Sequence, residues 1–216
     1  YVNWIDGIVH GDFGDSERYK SDVWSLIEQR IPYSLKLCGW SLVLEIVVAL
    51  PLGLLCAMKK DGFLDRFTVN FSMLMAAVPS FWLGALFILL FGVWLGWLPI
   101  SGYSSAQHYI LPVVTTVLAS MGGTLRLTKS EVLDVFNEKY VTTAYAKGLP
   151  KKTVMIKHVL RNALILVTTL VFMSIPWLIS GAVVIENMFG LPGMGNLLLN
   201  SIKVQDLPIV QAVLLL

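Results

Sequence analysis

Apolar residues in this sequence are gathered into blocks that are long enough to cross a lipid bilayer. A helix needs about 20 residues to cross the hydrocarbon core. Hydrophobic residues make up 56% of the chain and charged residues 14%, with a mean hydropathy of +0.73, far above that of soluble domains. The sequence predicts an all-α, polytopic transmembrane bundle that forms one domain over residues 1–216. We place the membrane-spanning segments at about residues 34–58, 67–97, 111–127 and 163–185, with an incomplete one at 207–216.

Residues that weaken helices occur within and beside these blocks. Residues 21–30 have the spacing of a surface helix, which we expect Pro32 to interrupt. Pro79 predicts a kink inside the second segment, and Gly122 and Gly123 are expected to loosen the third.

Basic residues predict the orientation of the chain. They are concentrated in residues 126–161 and in the turn at 59–66, whereas the loops 99–110 and 186–206 contribute only Lys203. Loops rich in Lys and Arg face the cytoplasm, so residues 1–32 are expected to be extracytoplasmic. Continuity of the alternation leads us to expect a chain truncated at both ends, with a further segment before residue 1 and a completed last segment.

Metal, disulfide and nucleotide sites are not indicated. His10, His108 and His158 lie in different segments without a cluster of other ligands. Cys38 and Cys56 lie on one predicted helix, roughly 27 Å apart, which excludes a disulfide between them. The phosphate-binding pattern G-x-x-x-x-G-K-[ST] does not occur.

Residues 137–162 form a polar loop that keeps helical periodicity. We predict a short helix at Tyr140–Lys147 that Gly148 ends, and a second helix at Lys151–Leu160 whose start Pro150 favours. Two short helices joined by a sharp turn would form a protruding knob. On charge alone, such a loop is usually a topology signal or a patch for anionic lipid.

Two segments of this loop resemble a known family. YVTTAYAKGL and KHVLRNAL resemble the EAA loop of ABC importer permeases, in the form found in the dipeptide, oligopeptide and nickel branch. The general pattern is matched at Ala144, Gly148 and Leu160, and departures occur at Thr142, Thr143, His158 and Arg161. The departing residues are similar to those of this branch. Further segments resemble the branch in the same order, namely GDFGDS at 11–16, PSFW at 79–82 and ENMFGLPGMG at 186–195.

The resemblance implies a type I permease fold and a pore-forming subunit of an ATP-driven importer. Such a subunit moves peptides, nickel or a related small solute into the cytoplasm by alternating access, and it is not an enzyme. Its implied partners are a homologous second permease subunit, two ATP-binding cassette subunits, an extracytoplasmic solute-binding protein and the lipid bilayer, with no nucleic acid. ATP and Mg would be bound by the partner subunits, with no cofactor in this chain. The implied location is the plasma (inner) membrane of a bacterium or archaeon, crossed several times.

The resemblance also implies roles for particular residues. Those expected to couple the chain to the ATPases are Tyr140, Thr143, Ala144, Ala146, Lys147, Gly148, Leu149, His158 and Arg161. Candidates for the passage or gate are Glu45, Pro79, Phe81 and Trp82. Candidates for a loop that faces the binding protein are Glu186, Phe189, Pro192 and Gly193.

Glu45 is an ionisable residue near the middle of the first segment. Facing lipid there would oppose insertion by about 2.5–3.5 kcal/mol, so we expect it to face the bundle interior. It could line the passage or pack between helices as a hydrogen-bonded residue. An ion-coupled carrier or channel is the alternative function, but it would need several intramembrane charges near broken helices. An intramembrane hydrolase would need a catalytic constellation within the segments, which the sequence does not contain.

Overall fold

The computed structural model describes residues 7–8, 11–150 and 153–215. These residues form helices and loops, with one isolated antiparallel bridge between Asp15 and Asp22. The predicted all-α class is therefore confirmed for the described part of the chain. The α-helices are α1 Val23–Met58, α2 Phe63–Ala77, α3 Ser80–Phe87, α4 Ile110–Phe136, α5 Lys139–Ala146, α6 Arg161–Phe189, α7 Met194–Lys203 and α8 Leu207–Leu215.

Three shorter helical stretches extend these helices. Ile88–Trp94 continues α3 as a π-helix, and Ala106–Tyr109 precedes α4 as a 3₁₀-helix. Val154–Leu160, which we call the π segment, runs directly into α6. Among the described residues, Val23–Met58 and Ala106–Phe136 are each long and apolar enough to cross a membrane. The number rises to four if each of two bent helix pairs counts as one crossing.

Helix α1 continues through Pro32, so the predicted interruption there is wrong. The helix runs for 36 residues from Val23 to Met58, although a proline inside a helix removes one backbone hydrogen bond. Val23 and Ile27 lie before Pro32 and are fully buried. Their packing holds the segment before Pro32 in the same helix as the segment after it.

At Pro79 the chain breaks rather than kinks. Helix α2 ends at Ala77, Val78 is extended with φ −83° and ψ 128°, and α3 begins at Ser80. Proline lacks an N–H and disfavours helical geometry in the residue before it. The missing N–H is that of Pro79 itself, and the steric effect acts at Val78.

Helix α4 runs unbroken through Gly122 and Gly123, so the expected loosening does not occur. A Cβ added at Gly122 would lie 2.8 Å from the carbonyl oxygen of Ser72 in α2, whereas one added at Gly123 would meet nothing within 4 Å. Gly122 therefore permits close packing of α2 against α4.

The loop at residues 186–206 contains helix α7. Gly190 adopts φ +63° after α6 ends at Phe189. The axes of Ala182–Phe189 and Met194–Lys203 differ by 81°.

The chain divides into two compact units. The first comprises residues 1–40, 80–115 and 179–216, and the second comprises residues 41–79 and 116–178. The first unit has a core formed by Phe13, Val23, Ile27, Leu197, Ile209 and Ala212. The core of the second unit contains Ala57, Val132, Val135, Val141, Ala144, Val154, Met155, Val159 and Ala163. We call it the loop core because five of these residues belong to the polar loop 137–162.

Candidate functional site

The short helix α5 is anchored along one face and exposed along the other. Val141 and Ala144, three positions apart, are buried in the loop core, which also contains Val132 and Val135 of α4. The π segment contributes Val154, Met155 and Val159 to the same core. A helix of eight residues is marginal by itself in water, so this apolar packing is what holds α5 in place.

Gly148 ends α5 in the manner predicted from the sequence. Its φ is +74°, a conformation that glycine adopts at little cost. Gly148 N donates to Tyr145 O at 2.9 Å, and Leu149 N donates to Ala144 O at 3.3 Å. This bond pair is a Schellman motif, and Leu149 supplies its usual apolar contact by packing against the loop core.

The second predicted helix of the loop is not a separate element. Lys151 and Lys152 lie outside the described residues, and the π segment that follows continues into α6 without a break. Arg161 at the junction has helical φ and ψ of −58° and −42°. The loop therefore contains one short helix and a turn at Gly148. Its described carboxyl-terminal part is helical and continuous with α6.

The predicted coupling residues divide into a surface set and an anchoring set. Ala144 is buried in the loop core and Leu149 packs against it, so these two residues anchor the loop, and His158 is partly buried. Exposed side chains or backbone are found at Tyr140, Thr143, Ala146, Lys147, Gly148 and Arg161. The surface set could contact another protein directly.

Asn162 is a polar residue of the loop that the motif analysis did not single out. Its Nδ2 lies 3.0 Å from Tyr140 Oη and 2.8 Å from His158 O. Asn162 belongs to the motif KHVLRNAL, which could have indicated that it has a role in the loop. The motif does not show its contact with Tyr140, 22 positions away in the sequence.

Comparisons with known proteins agree with the motif. Residues 49–216 match the family described as "Binding-protein-dependent transport system inner membrane component". The oligopeptide transport system permease protein AppB of Bacillus subtilis (strain 168) is 37% identical over 98% of this chain and 71% of its own length. The glutathione transport system permease protein GsiC of Escherichia coli (strain K12) is 37% identical over 100% of this chain and 71% of its own length.

The chain belongs to this family. Its fold is also similar to that in the crystal structure of an amino acid ABC transporter with histidines, with a TM-score of 0.68 at 11% identity. That similarity covers 88% of this chain and 84% of the other. The predicted ABC importer permease fold is thus confirmed.

Glu45 of the permease is sheltered, as predicted. It is 2% exposed, and its carboxylate accepts hydrogen bonds from Thr124 Oγ1 at 2.6 Å and from Ser120 Oγ at 3.1 Å. Both donors lie on α4, within the second unit. Buried carboxylates need such partners. The geometry favours the interpretation of Glu45 as a packed residue that ties α1 to α4.

The other passage candidates lie at the break between α2 and α3. Pro79 belongs to the second unit and Phe81 and Trp82 to the first. The two aromatic side chains are 56% and 50% exposed. Their exposed faces are available for contact with lipid, another subunit or solute.

The four residues proposed for a loop that faces the binding protein lie where α6 ends and α7 begins. Glu186 and Phe189 are each 1% exposed, Gly193 is buried, and Pro192 is only partly exposed. The Glu186 carboxylate accepts hydrogen bonds from Ser34 Oγ at 2.5 Å and from Gly195 N at 2.7 Å, where α7 begins. A negative charge at a helix amino terminus is favourable. This motif holds the first unit together instead of presenting side chains outward.

The Gly-Asp-Phe-Gly-Asp-Ser segment is also tied into the first unit. Ser16 Oγ donates to Asp206 Oδ2 at 2.5 Å, and Arg18 N donates to the same oxygen at 3.2 Å. Phe13 stacks on Trp24 with ring centroids 5.6 Å apart. These contacts fix the segment against α1 and the turn before α8.

One ion pair joins α2 to α4 within the second unit. Lys129 Nζ lies 2.6 Å from Asp65 Oδ1, whose side chain is almost fully buried. Asp61 N donates to the other carboxylate oxygen at 2.9 Å. The basic residue Lys129 therefore has a structural partner. Within the described residues, no group of three or more His, Cys, Asp or Glu side chains is arranged to hold a metal ion.

Proposed function

We propose that this permease is the pore-forming subunit of an importer that uses alternating access and is driven by two partner ATPases. It would pair with a homologous permease subunit and receive solute from an extracytoplasmic binding protein. We place it in the plasma membrane of a bacterium or archaeon as a multi-pass protein. ATP and Mg would be held by the ATPase subunits, with residues 137–162 in the cytoplasm and residues 1–32 outside.

The observation that carries this proposal is the construction of the polar loop. One face of α5 is exposed and the opposite face packs in the loop core. The carboxyl end of α5 is fixed by the turn at Gly148. An isolated topology signal or a lipid-binding patch requires charge but no such anchored helix. A coupling element does require one, because a docking surface must be rigidly joined to long helices in order to move them.

The loop core provides this connection. It joins Val141 and Ala144 of α5 to Val132 and Val135 of α4. Protein cores are close-packed and resist deformation. When the ATPases bind ATP and close, a displacement of α5 would therefore move the end of α4 and the π segment as one body.

The substrate proposal rests on the relatives. Proteins about 37% identical to this chain are named for oligopeptide and glutathione transport. Both solutes are short peptides with amide groups and free carboxylates. We therefore propose short peptides as the solute class, with nickel or a related small solute as the remaining option.

Site-directed cross-linking of the complete complex tests the proposed interface. Thr143→Cys and Lys147→Cys, made separately on the exposed face of α5 and at its end, should each cross-link to the ATPase subunits with a short bifunctional maleimide. Ser104→Cys, exposed in the loop before α4, is the control and should not react with them. Cross-linking at position 104 but not at 143 or 147 would reject the proposed interface.

Solute uptake tests the proposed substrate independently. Proteoliposomes that contain the complete complex and its binding protein should accumulate radiolabelled trialanine or glutathione when ATP is enclosed. Accumulation of nickel without either peptide would reject the peptide class while leaving the importer proposal intact.

A further inference from the structure

The side chain of Asn162 bridges two parts of the polar loop. Asn162 lies in the first turn of α6, and its amide nitrogen contacts both Tyr140 Oη and His158 O, at 3.0 and 2.8 Å. A side-chain amide carries two hydrogens, so it can donate to both oxygens at once. The two acceptors belong to different elements, because Tyr140 is in α5 and His158 is in the π segment.

This bridge lies apart from the apolar packing of α5. Val141 and Ala144 bind α5 to the loop core from the buried side, whereas Tyr140 is 40% exposed. Tyr140 therefore belongs to the surface proposed to meet the ATPase, and its hydroxyl is also bonded to the first turn of α6. Helix α6 contains no proline from Arg161 to Ile175, so displacement of its first turn can be carried along this stretch.

The geometry points to Tyr140 and Asn162 as a positioning pair that transmits movement of the docked α5 to α6. This inference rests on the proposed function, since it assumes that α5 meets the ATPase. It adds a polar contact to the apolar packing of the loop core, which reaches α4 and, through Ala163, also α6. Neither residue touches solute or nucleotide in this role.

A second tyrosine provides a matched control. Tyr145 lies on the same short helix and is 39% exposed, nearly the same as Tyr140. Its hydroxyl has no hydrogen-bond partner among the described residues. Tyr145→Phe and Tyr140→Phe therefore remove the same atom from similarly exposed sites, and only the second breaks the bridge.

The test measures movement of α6 in the complete complex. A fluorescent label is placed on Met173→Cys, a position of α6 that is 70% exposed, after Cys38 and Cys56 are replaced by alanine. The complex in nanodiscs is then given ATP with vanadate, and the equilibrium between the two label states is measured. The amount of ATPase subunit retained is determined in the same samples.

The expected result is selective. Tyr140→Phe removes only the bridging hydrogen bond, whereas Asn162→Leu also removes the bond to His158 O. Each variant should shift the equilibrium between the label states by about two- to tenfold through loss of the bridging bond. The amount of ATPase subunit retained should change by less than about twofold, because the packing of α5 in the loop core is unchanged. The double variant should behave like the more affected single variant, and Tyr145→Phe should respond like the unmodified chain.

Two different failures are distinguishable. A full label response in Tyr140→Phe and Asn162→Leu, with a normal response in the unmodified complex, would overturn this inference and leave the proposed function standing. No response to ATP and vanadate in the unmodified complex would contradict the proposed function itself. Equal loss of ATPase retention and label response in the variants would show that the pair only stabilises the loop, which also overturns the inference.

Discussion

Ser34 Oγ donates a 2.5 Å hydrogen bond to Glu186 Oε1, although 152 positions separate the two residues in the chain. The same hydroxyl oxygen accepts a 2.8 Å hydrogen bond from Met194 N. Ser34 thus joins α1 to the end of α6 and to the start of α7 within the first unit. A single side chain organises the meeting point of three helices.

Removal of this hydroxyl should destabilise the permease. Ser34→Ala leaves both the Glu186 carboxylate and Met194 N with one partner fewer in a buried site, which costs about 1–3 kcal/mol of unfolding free energy. The free energy can be measured on the full-length subunit by titration with sodium dodecyl sulfate in mixed micelles. Ser104→Ala, at an exposed position, is the control. Equal stability of the two variants would show that the Ser34 contacts are not formed.

The neighbouring glycines of α4 should respond to alanine in opposite directions. Gly122→Ala places a Cβ against Ser72 O, and overpacking of this kind costs about 1–3 kcal/mol. In Gly123→Ala the added Cβ meets no atom within 4 Å. This substitution should stabilise the helix by about 0.5–1 kcal/mol, because alanine has a higher helix propensity than glycine. The same mixed-micelle titration compares them. Similar effects of both substitutions would contradict the close approach of α2 to α4.

The buried hydrogen bond between Thr124 and Glu45 makes a separate contribution to stability. Thr124→Val keeps the shape of the side chain but removes the 2.6 Å bond to the carboxylate, which should cost about 1–3 kcal/mol. Thr168→Val is the control, because among the described residues Thr168 Oγ1 donates to Leu164 O of its own helix. The apparent melting temperature of the detergent-purified complex should fall for Thr124→Val and stay nearly unchanged for Thr168→Val. The reverse order would mean that Glu45 is held by other groups.

Local chemistry made several features predictable from the sequence. Gly148 was expected to end a short helix with positive φ, and the helix ends at Ala146 with Gly148 at +74°. Glu45 was expected to avoid lipid because of its charge, and it is buried. Each prediction depends on one residue type, namely the backbone conformation that glycine adopts and the avoidance of lipid by a charged side chain. Both can be read from the sequence alone.

Features that depend on tertiary packing were not predictable in the same way. A proline inside a helix has a known local cost, but the burial of Val23 and Ile27 that offsets it at Pro32 is a property of the folded unit. Likewise, the sequence of the motif from Glu186 to Gly195 does not show that the Glu186 carboxylate accepts a hydrogen bond from Gly195 N. Long-range partners such as Ser34 leave no periodic signal in the sequence.

The replacement of Gly148 tests the role of the polar loop. Gly148→Val strains the turn by about 1–3 kcal/mol because a branched residue must adopt positive φ, and a shift of this size weakens a docking equilibrium about five- to 150-fold. Gly96→Val is the matched control, since Gly96 has φ +62° with open space around it, as at Gly148, but lies in the first unit, outside the loop. The two substitutions therefore impose similar backbone strain in different places.

The measurement that tests the central claim most directly is ATP hydrolysis by the complete complex, stimulated by its binding protein, with each of these variants. If residues 137–162 couple the permease to the ATPases, Gly148→Val should lose most of the stimulated hydrolysis and retain less ATPase subunit, while the amount of inserted permease stays near normal. Gly96→Val should keep both the hydrolysis and the retained subunits. Normal stimulated hydrolysis with Gly148→Val would contradict the account and leave Gly148 as only the residue that ends α5.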